Sequence, residues 1–325
     1  MKWQLNGRAE NIEAVAKRGT VLDGVLFSSS TLSTPIVNGT SSDEKSAAVD
    51  ERSRTDTVVI AITGIHGNFY SNPFYFNFGN TLNGAGIDFV YAQVCDAFGE
   101  INTRNVLTGK AEVIGSWNER FSYADEDIAA YIDWAENAGY RHIVLAGHSL
   151  GANKVIHYLA NTHDSRIDRF LLLSPCNVEY LTSLVTEEEK QTVRKMCENG
   201  HGDERLPFDL LGWIPCIADT AHDWLFSDTL NNVHVEAGRD FSQVENVTHT
   251  GALLIGTRDN FTYGDPAGYL QNINEYFPTA VQNKLIYIEG TGHTYQQKEQ
   301  ETAERILECV KKWQGEWKDG MTFTR

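Results

Sequence analysis

The chain has 325 residues, of which 41% are hydrophobic and 22% charged, and its formal net charge at pH 7 is −17. That much apolar material suffices for a large buried core. The negative charge, without any basic run that could line a phosphate backbone, argues against nucleic acid as a partner. The N-terminus lacks the apolar core of a signal peptide, and no apolar run is long enough to span a bilayer.

The cysteines indicate a reducing compartment such as the cytoplasm. They are odd in number, widely spaced and without a C-x-x-C pair, at Cys95, Cys176, Cys197, Cys216 and Cys309. This pattern is typical of reduced thiols and not of a disulfide framework or a zinc site. We therefore expect a cytoplasmic protein with no membrane association.

Three strands are predicted in the first third of the chain. Thr20–Phe27, Thr57–Thr63 and Ile87–Val94 are short apolar runs rich in β-branched residues. Ser28–Asp56, between the first two, is polar and rich in Ser and Thr, so we expect an excursion without function. The second strand leads into a loop, residues 64–69, with the sequence Gly-Ile-His-Gly-Asn-Phe.

A helix, a strand and a second helix follow. Ser122 and Asp125 have the spacing of a capping box, and Gly139 stands where a C-terminal cap belongs, so a helix is predicted between them. The strand His142–Gly147 is almost wholly apolar. The second helix is predicted over Leu150–Asn161.

The strongest chemical signal lies where this strand meets this helix. Gly147-His148-Ser149-Leu150-Gly151 has the form and the context of a G-x-S-x-G nucleophile elbow. The serine of such an elbow sits on a strained turn, and side chains two residues to either side would collide with neighbouring backbone. The turn raises the Ser149 hydroxyl above the sheet and lets the Leu150 N–H, at a helix N-terminus, face a developing oxyanion.

A long insertion follows the next predicted strand, Arg169–Ser174. Residues 177–250 exceed a simple crossover and include a charged helical piece, Thr186–Asn199, and an aromatic segment, Leu206–Phe226. Open α/β sheets bind ligands outside the carboxyl ends of their strands, which favours a helical cap there. A satellite packing unit is the alternative.

Two tryptophans decide between these interpretations of the insertion. If the segment is a cap, Trp213 and Trp224 are the best candidates to line a substrate pocket. If it is only a packing unit, both indoles are buried within it.

The last third of the chain supplies two more strands and a helix. The strand Ala252–Thr257 is followed closely by Asp259, and the strand Lys284–Glu289 leads into a glycine-rich loop that contains His293. A final helix is predicted from about residue 297 to 313. Strands covered on both faces, alternating with helices, predict a doubly wound, mostly parallel α/β sheet in a single domain spanning residues 1–325.

These features resemble the α/β-hydrolase superfamily from Thr20 to Trp313. The superfamily's order is nucleophile, acid, histidine, so the resemblance implies a triad of Ser149, Asp259 and His293. The chemistry requires all three, because an imidazole must take the serine proton and a carboxylate must hold that imidazole in one tautomer. Two further carboxylates stay open as the acid, Asp265 in the same loop and Glu179 after the preceding strand.

The loop at 64–69 resembles the superfamily's His-Gly motif. That resemblance implies the Asn68 backbone N–H as an oxyanion donor beside Leu150, with His66 ordering the loop. His148 is expected to be a packing residue. The remaining histidines lack metal-binding spacing, and no glycine-rich phosphate loop is present, so neither a metal nor a cofactor is predicted.

A triad of this kind supports acyl transfer with water as the default acceptor. We therefore expect a serine carboxylic-ester hydrolase (EC 3.1.1) that acts through an acyl-enzyme on a small-molecule ester. Residues Phe121–Tyr158 also resemble the intracellular siderophore esterases of fungi, which implies ester bonds of hydroxamate iron chelators. A serine peptidase or amidase, an acyltransferase and a non-catalytic receptor on the same scaffold remain alternatives, and the oligomeric state is open.

Overall fold

The strands of the protein form one large sheet and one hairpin. The computed structural model describes Leu5 and residues 7–28, 55–262 and 264–320, so residues 29–54 of the predicted polar excursion lie outside the described residues. The strands are β1 (Arg8–Val15), β2 (Val21–Ser28), β3 (Thr57–Ile62), β4 (Asp88–Ala92), β5 (Ile101–Asn105), β6 (Lys110–Ile114), β7 (His142–His148), β8 (Ile167–Leu173), β9 (Gly251–Gly256) and β10 (Lys284–Ile288).

The sheet has eight strands in the order β1-β2-β4-β3-β7-β8-β9-β10, and β5 and β6 form a separate two-stranded sheet. β1 and β2 run antiparallel to their neighbours, while every pairing from β4 to β10 is parallel. All six residues of β3 are buried, as expected for a strand with helices on both faces. The prediction of a doubly wound, mostly parallel sheet is confirmed.

Helices cover both faces of the sheet. They are α1 (Phe74–Gly84), α2 (Ala124–Asn137), α3 (Leu150–Thr162), α4 (Val178–Ser183), α5 (Glu187–Glu198), α6 (Ala218–Phe226), α7 (Ser242–Glu245), α8 (Pro266–Glu275) and α9 (Glu299–Lys318). The apolar sides of α1 and α9 pack on one face, and those of α2, α3 and α8 pack on the other. Each large aliphatic side chain so removed from water contributes roughly 1.5–3 kcal/mol. No helix in the described ranges is long and apolar enough to cross a membrane.

Helix α2 begins differently from its predicted start. Ser122 lies in a short 3-10 turn, Phe121–Tyr123, and the residue that precedes α2 is Tyr123, without a side-chain capping bond. The predicted capping box is therefore wrong. Acidic residues in the first turn of α2 instead interact favourably with the positive end of the helix dipole. Gly139 does follow the helix end as predicted, with φ at 86°.

A buried ionic cluster lies beneath the helix that follows the elbow. Lys154, on α3, forms an ion pair with Asp96 Oδ2 at 3.0 Å and donates a hydrogen bond to Glu119 Oε1 at 2.5 Å, and each of these side chains is at most 3% exposed. The carbonyl oxygen of Asp96 accepts the His66 N–H at 2.8 Å. The cluster thus joins α3 to the loop at 64–69.

Lys154→Met is expected to destabilise the protein by about 3–5 kcal/mol, because two buried carboxylates would lose their cation. Lys190→Met is the matched control, since Lys190 pairs with Glu187 on the surface of α5. Surface pairs of this kind contribute about 0–1 kcal/mol. Chemical denaturation measures both variants. Equal, small losses in free energy of unfolding would show that the buried cluster is not held by Lys154.

Candidate active site

The turn between β7 and α3 has the strain expected of a nucleophile elbow. Ser149 has φ 57° and ψ −128°, outside the regions that a serine normally occupies. A Cβ on Gly147 would lie 2.2 Å from the Gly151 carbonyl oxygen, and one on Gly151 would lie 2.5 Å from the Ile62 oxygen. Both glycines are therefore required for the turn to form.

Three predicted residues meet in one hydrogen-bonded chain. The Ser149 Oγ–H donates to His293 Nε2 at 2.9 Å. The other ring nitrogen, Nδ1, donates to Asp259 Oδ2, also at 2.9 Å. The Asp259 side chain is 1% exposed and that of His293 is 11% exposed, so water is largely kept from the chain. The three residues come from the carboxyl ends of β7, β9 and β10, where parallel strands open onto one edge of the sheet.

The Asp259 carboxylate stays ionised in spite of its environment. Burial by itself would raise its pKa, but the facing His293, the Phe261 N–H at 3.0 Å and the Ser174 hydroxyl outweigh burial and hold the pKa below its usual value. The negative charge of Asp259 keeps the proton of the neutral His293 ring on Nδ1. His293 Nε2 is thereby left as an acceptor for the Ser149 proton.

The two other candidate acids are engaged elsewhere. Asp265 caps α8 by accepting the Gly268 N–H at 2.9 Å. Glu179 forms an ion pair with Arg239 and accepts a hydrogen bond from His234 at 3.1 Å. Asp259 is the carboxylate that the structure brings to His293.

The loop at 64–69 lies directly against the elbow. The residue that packs on the elbow is Gly64, whereas the His-Gly resemblance implied Asn68. A Cβ on Gly64 would lie 2.9 Å from Ser149 Cβ and 3.2 Å from the Leu150 nitrogen. The Asn68 N–H is already used, since it donates to Asn72 Oδ1 at 3.3 Å. Within the described ranges neither Ile65 nor Leu150 has a hydrogen-bond partner for its backbone N–H.

His66 orders this loop. Its Nε2 is 2.6 Å from Ser116 Oγ, and its backbone N–H is held by Asp96. Burial lowers the pKa of His66, although Asp96 opposes the shift, so the ring is neutral at neutral pH. The ring also meets Trp213 edge-on, with 5.3 Å between the ring centroids. These contacts agree with the structural role expected for His66.

His148 supports the backbone of His293. Burial, reinforced by the neighbouring His293, lowers the pKa of His148 to about 3. The neutral ring therefore carries its proton on Nε2 and donates it to the His293 carbonyl oxygen at 2.8 Å. The packing role predicted for His148 thus includes a hydrogen bond that fixes the loop after β10.

Two further residues were not identified by sequence reasoning. Ser174 Oγ lies 2.9 Å from Tyr295 Oη, and both residues are 0% exposed. Both also have a positive φ, 46° at Ser174 and 55° at Tyr295, a strained conformation that tends to occur at functional sites. Since the Ser174 hydroxyl also supports Asp259, the Tyr295 hydroxyl orients the group that stabilises the carboxylate. Neither residue lies in a motif that could have revealed it.

Tyr295→Phe is expected to lower kcat about three- to tenfold. Without the tyrosine hydroxyl, Ser174 supports Asp259 less well, so the Asp259 pKa rises. Tyr75→Phe is the control, because Tyr75 is equally buried and its hydroxyl has no partner among the described residues. Equal kcat values in the two variants would contradict this role.

The thiol of Cys176 lies beside Ser149. It is hydrogen-bonded to Ser149, yet burial raises its pKa to about 12. The thiol is therefore protonated at neutral pH and offers no competing nucleophile. No group of three or more His, Cys, Asp or Glu side chains in the described ranges is placed to hold a metal ion.

The insertion packs onto the elbow through an apolar cluster. This cluster joins side chains of α4, α5 and α6 to Leu150, which follows Ser149, and to Phe121. Trp224 is 2% exposed inside it, with its ring centroid 5.5 Å from that of Phe121. Trp213, by contrast, is 44% exposed and lies over the loop at 64–69. The two tryptophans that were predicted together therefore have different surroundings.

We expect Trp224→Ala to cost about 3–5 kcal/mol of stability while the ester chain-length profile stays the same, because the indole is internal. Trp213→Ala should leave the melting temperature nearly unchanged and alter that profile, since its exposed indole flanks the loop beside Ser149. Thermal unfolding and a graded ester series distinguish the two effects. An unchanged profile in Trp213→Ala would remove this residue from the substrate site.

Comparison with known proteins finds one family model that matches part of the chain and a set of similar solved structures. A family model described as serine hydrolase matches residues 117–249, which contain Ser149 but end before Asp259 and His293. No curated protein sequence matches the chain significantly.

Solved structures resemble the chain over almost its whole length. Est1E from Butyrivibrio proteoclasticus has a TM-score of 0.60 and 15% identity, covering 93% of this chain and 98% of its own. An esterase from Pyrococcus furiosus has a TM-score of 0.56 and 16% identity, with 96% and 95% covered. An esterase from Exiguobacterium antarcticum has a TM-score of 0.55 and 15% identity, with 93% and 100% covered. At such identities the likeness establishes the shared fold.

Proposed function

We propose that this chain, which has the α/β-hydrolase fold and matches a serine hydrolase family model over residues 117–249, is a carboxylesterase that acts on small-molecule esters through Ser149, His293 and Asp259. The observation that carries the proposal is the unbroken chain of two 2.9 Å hydrogen bonds from Ser149 Oγ through the imidazole to Asp259. Such a chain has the geometry needed to activate a serine hydroxyl.

The reaction follows from the placement of these atoms. Ser149 Oγ attacks the ester carbonyl carbon while His293 Nε2 takes the hydroxyl proton. His293 then returns that proton to the leaving alkoxide, and an acyl-enzyme and a free alcohol result. In the second half, Nε2 takes a proton from water, the hydroxide attacks the acyl carbon, and Ser149 regains its proton as the acid leaves. The Asp259 charge stabilises the imidazolium in both halves.

For the tetrahedral oxyanion we assign the backbone N–H groups of Leu150 and Ile65. Both lack partners among the described residues, and Ile65 directly follows Gly64, which lies against the elbow. The Asn68 N–H, which the His-Gly resemblance implied, is bonded to Asn72. Preorganised donors of this kind each contribute about 10²–10³ in kcat.

We further assign residues 177–250 as a cap that contributes to substrate binding. The apolar contacts between the insertion and Leu150 support this role, as does the exposed Trp213 beside the loop at 64–69. Phe261 adds an aromatic edge, with its ring perpendicular to His293 at 4.4 Å between centroids. These apolar and aromatic groups favour esters with a bulky acyl part over acetyl esters.

A panel of p-nitrophenyl esters and their p-nitroanilide counterparts tests the function. The panel includes straight acyl chains of graded length and, since Est1E is described with ferulic acid bound, a feruloyl ester. A hydroxamate siderophore ester tests the fungal resemblance of Phe121–Tyr158. We expect ester turnover well above anilide turnover. Hydrolysis of the anilides alone would indicate an amidase, and no turnover of any substrate would indicate a receptor on this scaffold.

A further inference from the structure

A second cavity opens at the edge of the sheet opposite to Ser149. We call it the basal pocket; it has a volume of about 450 Å³ and is lined by, among others, Arg169, Thr250, Lys284, Lys312, Trp313 and Glu316. Arg169, which lines the pocket, pairs with Val144 near the start of the β7–β8 ladder. Leu173 pairs with His148, beside the elbow, at the end of the ladder. Four residues of strand, about 13 Å, therefore separate this pocket from the elbow along the sheet.

The basal pocket carries more positive than negative charge. Three cationic side chains, Arg169, Lys284 and Lys312, line it together with one carboxylate, that of Glu316. This surplus stands out in a chain whose formal net charge is −17. A concave surface with one sign of charge concentrates counter-ions of the opposite sign.

The contacts show how little of this charge is neutralised. Arg169 Nη2 lies 3.0 Å from Glu316 Oε2, and Lys312 Nζ is 3.9 Å from the other oxygen of the same carboxylate. Lys284 is hydrogen-bonded to the Cys309 thiol, whose pKa burial raises, so this partner is neutral. One negative charge therefore faces three positive ones.

The remaining residues that line the pocket indicate which other groups a ligand would carry. The Trp313 indole, 7% exposed, and the side chain of Val281, whose residue is 94% exposed, provide apolar surface beside the lysines. The guanidinium of Arg169 is occupied by Glu316 and by the Asp168 carbonyl, so it offers no free fork for a phosphate. Two ammonium groups beside apolar surface suit a single carboxylate attached to a ring or a short chain.

We propose that the basal pocket is a second binding site, for a small organic carboxylate held by Lys284 and Lys312 with its apolar part against Trp313. The acid product of the proposed esterase belongs to this chemical class, and that connection alone rests on the proposed function. Binding can be measured without catalysis, because Ser149, His293 and Asp259 are not among the residues that line the pocket.

Calorimetric titration of the Ser149→Ala protein with benzoate tests the site without turnover. The double substitution Lys284→Gln and Lys312→Gln in that background is expected to weaken benzoate binding at least about tenfold, since two charges are removed. Lys311→Gln is the matched control, because Lys311 is an exposed neighbour on α9 that does not line the pocket. The control should bind benzoate as the parent does.

Two further probes define the ligand class. Benzamide, the neutral counterpart of benzoate, should show no lysine-dependent binding, and 0.5 M NaCl should weaken the binding of benzoate. Equal benzoate affinity in the double variant and in Lys311→Gln, or no binding to either, would overturn the site. Lysine-dependent binding of inorganic phosphate but not of benzoate would overturn the organic carboxylate. The ester panel on the unsubstituted protein reports separately on the proposed function.

Discussion

Ser149→Ala is expected to lower kcat for the best ester by about 10⁵–10⁶, to the level of the assay background. The loss is this large because the variant removes the atom that forms the covalent bond, and His293 and Asp259 have no other nucleophile to activate. The Cys176 thiol does not replace it, since burial raises its pKa to about 12. Steady-state hydrolysis of a p-nitrophenyl ester measures the effect.

The fold should survive this substitution. Alanine fills less space than serine at the same backbone position, and the hydroxyl serves only the site. Ser183→Ala, at the exposed end of α4, is the control for a serine-to-alanine change and should keep full activity. A Ser149→Ala protein that folds normally and retains more than a few per cent of kcat would place the nucleophile elsewhere.

Asp259→Asn is expected to reduce kcat by roughly three to four orders of magnitude while the size of the side chain is preserved. An amide at this position can donate to His293 Nδ1, which moves the ring proton to Nε2. The imidazole then cannot accept the proton of Ser149. The Phe261 N–H donates to Asp259 Oδ1 at 3.0 Å and can still donate to the amide oxygen of asparagine. The free energy of unfolding should therefore change little.

Two matched carboxylate changes accompany this variant. Asp265→Asn weakens the cap of α8, and Glu179→Gln weakens the contacts with Arg239 and His234, none of which involves His293. Both should retain activity within a few-fold of the parent. A large loss of kcat in Glu179→Gln, with little in Asp259→Asn, would identify Glu179, in α4, as the acid of the triad.

The sequence was most informative where a short motif determines local geometry. The elbow needs glycines at 147 and 151 because neighbouring backbone lies within 2.5 Å of where their Cβ atoms would be. Asp259 and His293 could be proposed because each lies in the loop after an apolar strand, in the order that the superfamily resemblance implies, and parallel strands end at one edge. Strands with a polar or mixed composition were missed. β1 is an edge strand of largely exposed residues, and the hairpin β5–β6 is half exposed, so neither has a buried apolar run.

Long-range contacts account for the other differences. Ser174 and Tyr295 are 121 residues apart, and nothing near either one in the sequence indicates the contact. The assignment of Asn68 came from the His-Gly letters, whereas the packing of Gly64 against Ser149 depends on where β3 ends, at Ile62. Trp213 and Trp224 both lie in an aromatic segment, but only the folded insertion separates an internal indole from an exposed one.

The central claim is that Ser149 is the activated nucleophile of this protein. Reaction with a fluorophosphonate probe, followed by mass spectrometry of the digested protein, tests it most directly. We expect one covalent adduct, on the peptide that contains Ser149, and at least a hundredfold slower labelling in His293→Ala. An adduct on another residue, or labelling of His293→Ala at the rate of the unsubstituted protein, would contradict the account.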